Sequence, residues 1–454
     1  MSESPMVLPL SRAERRAAGR KRRSEVPRRC LAELSSAARD PLGIIDGQNS
    51  TRIPELVPLR TERMSQSPFA FYRGTAAIMA ADLAGEPNSG ILVPSCGDAH
   101  VANFGFYSSP QRTLVFDLND FDEAAWAPWE WDLKRLIASI VIAGQSTERD
   151  GKVVREAVLT ATKSYAFAMR MAAKASPLRR YYAHFEAAAG TGRMHPESRK
   201  VLDRAIGQAK KRTGERASRK LTQQDDGGRL RFVPRPPTMV PLAPELHALQ
   251  VELMNRYLRT VHPDIRMLMG HYRAVDVIRR VVGVGSVGTR CALSLFQDGD
   301  GNSLVLQSKQ AGRSVLEEYG GIEQPAELAE LAADRGQGGR VVAMQRILQA
   351  VSDPFLGSLQ HGDGQLGELD LYVRQFHDMK GGIDIEELDD EPFTTYARAC
   401  AVTLARAHAQ SPHAAEVSGY LGDGATAGDA LLNWGLAYAQ RSHRDYEAFI
   451  SRPR

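Results

Sequence analysis

The chain is poor in cysteine: four in 454 residues, at Cys30, Cys96, Cys291 and Cys400, with no CxxC pair among them. That spacing excludes a disulfide framework and a cysteine-rich zinc site, and it fits a reducing cytoplasm. Long apolar runs are missing too. A membrane-spanning helix needs about 20 consecutive apolar residues, and the best stretch, Leu136 to Gly144, stops short of that. The opening residues lack the apolar core of a secretion signal, so a cytoplasmic protein with no membrane partner is expected. There is no internal repeat, no long low-complexity tract, and no interleaving of aromatic with basic residues of the kind that marks a nucleic-acid surface.

What is present is an ordinary globular composition, 43% hydrophobic and 25% charged. The length suits two or three domains, or one large bilobed enzyme. The net charge of +4 is unevenly spread: Arg12 to Arg29 holds nine Lys/Arg against two acids, leaving 49 basic and 52 acidic residues elsewhere. Residues 1–35 are therefore expected to be a basic, flexible, partly helical tail on a mildly acidic body. A contact to nucleic acid or anionic lipid is the alternative use of that run.

Along the chain, Phe69 to Leu83 reads as a helix ended by Gly85-Glu86-Pro87, and Ile91 to Val93 as a short strand. Phe104–Tyr107 and Thr113–Leu118 form an expected hairpin, followed by helices over Trp131–Ala143 and Val153–Ala173. Arg199 to Gln224 reads as a helix running into an exposed turn, and the prolines between Pro234 and Pro244 as a linker. From Val277 the texture changes to antiparallel strands, Val277–Val282, Thr289–Phe296 and Leu304–Gln307, with another at Leu371–Phe376. Phe393–Ala409 and the last ~40 residues read as helical.

The chemistry-bearing residues cluster between Cys96 and Asp132. Phosphoryl transfer needs an aspartate near the acceptor hydroxyl, an amide or carboxylate pair to hold Mg²⁺, and a cover over the phosphates. Asp98 and Asn103 have the five-residue spacing of a catalytic base and a metal-binding Asn in kinase-type loops. The hairpin then delivers an acidic run, Asp117-Leu118-Asn119-Asp120-Phe121-Asp122-Glu123. An EF-hand reading of that run fails, because Phe121 and Asp122 stand where a ligand and a Gly are required. Asp132, at a helix start, reads as a cap or a brace for the Asp98 loop rather than a ligand.

Gly97-Asp98-Ala99-His100-Val101-Ala102-Asn103 resembles the GDxHxxN loop of aminoglycoside phosphotransferases and HipA-like kinases. Asp120-Phe121-Asp122 followed by Pro128 to Leu133 resembles their metal-binding Asp and downstream helix start. With Ser67-Pro68-Phe69-Ala70-Phe71-Tyr72-Arg73-Gly74 added, the string resembles an uncharacterised bacterial family, the domain-of-unknown-function group numbered twenty-two fifty-two, from Arg52 onward. The resemblance implies Asp98 and His100 in the catalytic loop, and Asn103 with Asp120, or Asp117, as metal ligands. Cys96 departs from it, standing where those kinases carry His.

Gly283-Val284-Gly285-Ser286-Val287-Gly288 has the GxGxxG pattern. A dinucleotide site would need a helix after it, yet a strand follows; a kinase glycine loop joins two strands, and a third brings a Lys to the phosphates. Leu304 to Lys309 supplies that strand and that Lys, with Glu317, Glu318, Glu327 and Glu330 as possible partners. The order is reversed relative to ordinary kinases, so a circularly permuted α+β fold of protein-kinase-like, bilobed form is expected. A helical lobe (36–270) would carry the Asp98 loop, a β-rich lobe (271–385) the nucleotide, and helices of 386–454 would pack on the large lobe. His361-Gly362-Asp363 lacks the following Asn and reads as a hairpin tip. Leu404 to His408 would lie behind the Asp98 loop, or serve as a plain core helix.

The functional expectation is an ATP- and Mg²⁺-dependent phosphotransferase, with Gly283, Gly285, Gly288 and Lys309 cradling the phosphates. A pseudokinase or AMP-transferring protein is one alternative, and a metal-dependent hydrolase built on Asp98, His100 and the Asp117 to Asp122 cluster another. The acceptor and the oligomeric state stay open; Trp126, Trp129 and Trp131 could line a small-molecule pocket or belong to the core.

Overall fold

The computed structural model describes residues 8–452 except 188–193, 282, 364–366 and 377. The architecture is α+β. A helical body is built around Trp129–Ser146, whose side chains are buried along almost the whole length. An apolar run of that kind can only be stable when covered on every side. Gly151–Lys174, Asp390–His408 and Ala425–Ile450 supply the cover.

Against this body lies a six-stranded antiparallel sheet. Its order is Gly357–Asp363, Gly367–Gln375, Ser303–Gln310, Cys291–Gln297, Arg273–Arg280 and Met239–Pro241. The expected strands therefore pair with one another, with Lys309 opposite Cys291 on one side and Tyr372 on the other. His361 lies on an edge strand of a hairpin whose tip is outside the described residues.

Three boundaries differ from the sequence expectation. The sheet unit begins before residue 271. Met239–Pro241 is its edge strand, where a proline costs no ladder hydrogen bond, and the helices Pro244–Tyr257 and Pro263–Met269 pack on its face. The stretch expected as one helix over Phe69–Leu83 is two, Pro68–Arg73 and Ala76–Ala84, parted at Gly74-Thr75. Arg199 to Gln224 is likewise broken, into Pro196–Lys210, Gly214–Leu221 and a short strand.

The basic leading segment is a correction rather than a shift. Arg12–Glu25 is a helix with a Ser11/Glu14 capping box, docked on the Ala414–Leu421 helix. Gly19 approaches so closely that a Cβ there would stand 1.9 Å from the Glu416 carbonyl oxygen, and one on Gly419 would stand 2.3 Å from that of Arg16. Arg23 donates to the carbonyls of Gly419 and Tyr420, and Arg28 to that of Leu421. These cations satisfy the open carbonyls of a helix C-terminus, where positive charge is favoured.

Candidate active site

The Asp98 loop follows the short strand Leu92–Ser95 and is held from behind by one carboxylate. Asp132 accepts from the backbone N–H groups of Cys96 at 2.6 Å and Gly97 at 2.9 Å. It also meets His408 Nε2 at 3.1 Å, and His408 Nδ1 meets the Tyr165 hydroxyl at 2.7 Å. Asp132 is thus a brace, and the Leu404–His408 turn does lie behind the loop. Gly97 has φ +78° and sits where a Cβ would come within 2.3 Å of the Glu123 carbonyl oxygen, so only glycine fits there. Cys96 is buried, and its thiol donates to the Asp120 carbonyl at 3.2 Å, joining the Asp98 loop to the acidic loop.

Within the loop, Asn103 Nδ2 donates to the Asp98 carbonyl at 2.7 Å. Arg135 Nε donates to Asp98 Oδ1 at 2.8 Å, leaving Oδ2 toward His100 Nε2 at 3.6 Å. Burial raises the Asp98 carboxyl above its ordinary value, with Arg135 working against the rise. His100 is pushed well below its ordinary value by burial and by the charges of Arg135 and Arg73, so its ring is neutral.

The acidic loop is tied to this unit by Asn119 N–H to the Asn103 carbonyl, 2.9 Å. Across the cleft, the buried Lys309 reaches in from the middle of the sheet. Its Nζ stands 2.5 Å from Asp122 Oδ2 and 3.6 Å from Asp120 Oδ1, and the Tyr372 hydroxyl donates to Asp122 Oδ1 at 2.5 Å. The partner of Lys309 is therefore Asp122, with Asp120, and not any of the glutamates at 317, 318, 327 or 330. The helix that carries Glu327 and Glu330 supplies Arg340 instead. A kink at Gly336 starts a new helical segment there, and Arg340 donates to the carbonyls of Asp122, Ala124 and Gly312, holding the acidic loop in place.

Of the two carboxylates weighed as metal ligands, Asp120 lines the cleft and Asp117 does not. Asp117 is 1% exposed and spent on Arg406 at 3.2 Å and the N–H groups of Ala350 and Leu118. Burial acts to raise Asp120, but Lys309, Arg374 and Lys380 outweigh it and hold the group down at about 2. Asp120 Oδ1 is covered from solvent and has no hydrogen-bond partner. A covered anionic oxygen of this kind, in a cleft that Asn103 also lines, fits a hard cation with oxygen ligands such as Mg²⁺.

The glycine loop joins the strands Arg273–Arg280 and Cys291–Gln297 and arches over the same cleft. Gly283 and Gly288 have φ +70° and +91°. The loop is pinned from the helical body by Arg63 to the Gly283 carbonyl, Arg52 to Val287 and the Ile53 N–H to Gly288.

Two cavities open beneath it. One of about 370 Å³ is lined by Asp98, His100, Asp122, Glu123 and Gly285. The other, about 630 Å³, is lined by Lys309, Arg374, Lys380, Phe376 and Gly381. Arg73, Asn103, Asp120, Gly283 and Ser286 border both, so the two meet at the expected metal ligands. Burial, with Arg374 and Lys309 nearby, lowers Lys380 to about 7, and burial raises Glu123 to about 7. Trp129 and Trp131 are core residues and line neither cavity; Trp126 is half-buried beside Gln324.

The residues sequence reasoning did not single out are Asp122, Arg135, Arg340, Tyr372, Arg374 and Lys380. Two carried a usable signal: Asp122 belongs to the acidic run, and Arg135 stands three residues after Asp132 and so shares its helix face.

The family described as "Uncharacterized protein conserved in bacteria (DUF2252)" matches residues 52–452, nearly the whole chain, and the protein belongs to that family. No curated protein and no solved structure matches it.

Proposed function

Starting from membership of a family whose description carries no activity, we propose that the protein is an ATP-dependent phosphotransferase built on a permuted, kinase-like bilobed plan. One observation carries the reading: Lys309, on the second strand after a glycine loop, meets the Asp120–Asp122 loop beside Asp98 and Asn103. Residues about 190 positions apart thus form the lysine–acid–base–amide set that phosphoryl transfer requires.

The nucleotide occupies the larger cavity, its triphosphate toward Lys309 and the glycine loop. Its base lies toward Phe376 and Gly381, where the last long strand leaves the sheet. That cavity's cations outnumber its free acids, because Asp353 is spent on the N–H groups of Phe355 and Gln375 and Asp378 on Arg112. The acceptor occupies the smaller cavity, where Asp98 Oδ2 orients its hydroxyl and takes the proton. Asn103 and Asp120 would hold Mg²⁺, which screens the negative charge of the phosphates. His100, neutral and covered, shapes the wall beside Asp98 and does not act as a charged acid.

The test is incubation of the purified protein with γ-labelled and, separately, α-labelled ATP in the presence of a metabolite extract. Label leaving ATP only from the γ position supports phosphoryl transfer, and label transferred from the α position replaces it with AMP transfer. No nucleotide binding or consumption in either arm refutes the reading.

A further inference from the structure

We propose that Arg73 is a catalytic residue that grips the phosphoryl group in transit between the two cavities. The inference rests on the phosphotransferase reading above and adds a residue to it.

Arg73 ends the Pro68–Arg73 helix and borders both cavities together with Asn103, Asp120 and Ser286. Three cations around Asp98 and the acidic loop are already engaged, while Arg374 and Lys380 line the larger cavity only. Arg135 is bonded to Asp98, Lys309 to Asp122, and Arg340 to three carbonyls. Arg73 has no carboxylate within ion-pairing distance among the described residues, and its Nε is covered from solvent without a hydrogen-bond partner. A half-buried guanidinium left without an anion is costly unless one arrives. Its field reaches both Asp98 and His100, which places it beside the acceptor end of the reaction path.

The backbone explains the placement. The helix break at Gly74-Thr75 turns the chain just after Arg73, and the glycine loop closes against it: a Cβ on Gly285 would stand 3.3 Å from the Arg73 carbonyl oxygen. Arg73 is therefore held against the glycine loop from the helical body. In the step itself, the acceptor oxygen bonds to the γ-phosphorus while the bond from that phosphorus to the β–γ bridging oxygen breaks. ADP leaves with the electron pair, and the acceptor proton passes to Asp98. The three non-bridging oxygens share charge throughout, and a planar five-donor guanidinium suits them.

The experiment compares wild type, Arg73→Ala and Arg73→Lys in MgADP binding, in MgADP plus aluminium fluoride (a planar phosphoryl mimic), and in single-turnover ATP cleavage. Arg73→Ala is expected to bind MgADP within about threefold of wild type and to keep its melting temperature. It should lose the added affinity from aluminium fluoride and slow cleavage by about 10²-fold or more, with Arg73→Lys recovering part. Wild-type-like cleavage and fluoride response in Arg73→Ala would overturn the inference, as would equal loss of MgADP binding and fold in both variants. A wild-type protein that binds no MgATP would refute the phosphotransferase reading itself, and Arg73's role with it.

Discussion

Replacing Lys309 by Met keeps the length and most of the packing of the side chain while deleting its charge. Lys309 is 2% exposed, whereas the Asp122 and Asp120 side chains retain 24% and 40% of their exposure. Breaking a fully buried ion pair costs about 3–5 kcal/mol, and an exposed pair contributes about 0–1 kcal/mol. The Asp122 contact lies between these limits, at about 2 kcal/mol, and solvent screens the longer Asp120 contact to a few tenths. Urea denaturation at pH 7 should therefore show Lys309→Met less stable by about 2 kcal/mol. A double-mutant cycle with Asp122→Asn should give a coupling of about 1–2 kcal/mol. Acid sharpens the test. Asp120 is held at about 2, below the ordinary 3.8. Its contribution is complete above 3.8 and is lost as pH falls from there through 2. The gap between wild type and Lys309→Met should shrink across that window. A coupling below about 0.3 kcal/mol, with a gap that ignores pH, would refute the contact.

Asp117→Asn should destabilise the fold by about 3 kcal/mol in denaturant melts, because it strips the buried Arg406 of its counter-charge, and should leave nucleotide affinity within about threefold. Lys380, lowered to about 7, should take up a proton when a polyanionic nucleotide arrives at pH 8; calorimetry in buffers of different ionisation enthalpy reads this, and Lys380→Gln should abolish it. Deleting residues 1–32 should lower the melting temperature by several degrees, since it uncovers the Ala414–Leu421 helix; an unchanged melt would mean the leading helix is not docked in solution.

What the sequence made legible was local. Asp98 and Asn103 sit five residues apart on one loop, and the glycine loop and Lys309 follow within one run of antiparallel strands, so spacing alone grouped each set. The choice between Asp117 and Asp120 turned on strand alternation and on what lay behind the strand. Arg406, nearly 290 residues later, claims Asp117, and no short-range pattern announces that. Spacing leaves the partner of Lys309 open among four glutamates, whereas the acidic loop supplies it and the helical segment after the Gly336 kink brings Arg340 to hold that loop. The leading segment looked solvated because its charges dominate composition. Its docking depends instead on two small residues, Gly19 against the Glu416 backbone and Gly419 against the Arg16 backbone, which let the two helices approach.

The most direct measurement is equilibrium titration of MgATP into wild type, Lys309→Met and Asp120→Asn. The account predicts one saturable site in the wild type, weakened at least tenfold by either substitution, with Mg²⁺ alone producing no comparable binding. Absence of a site in the wild type, or a site that both substitutions leave untouched, would contradict it.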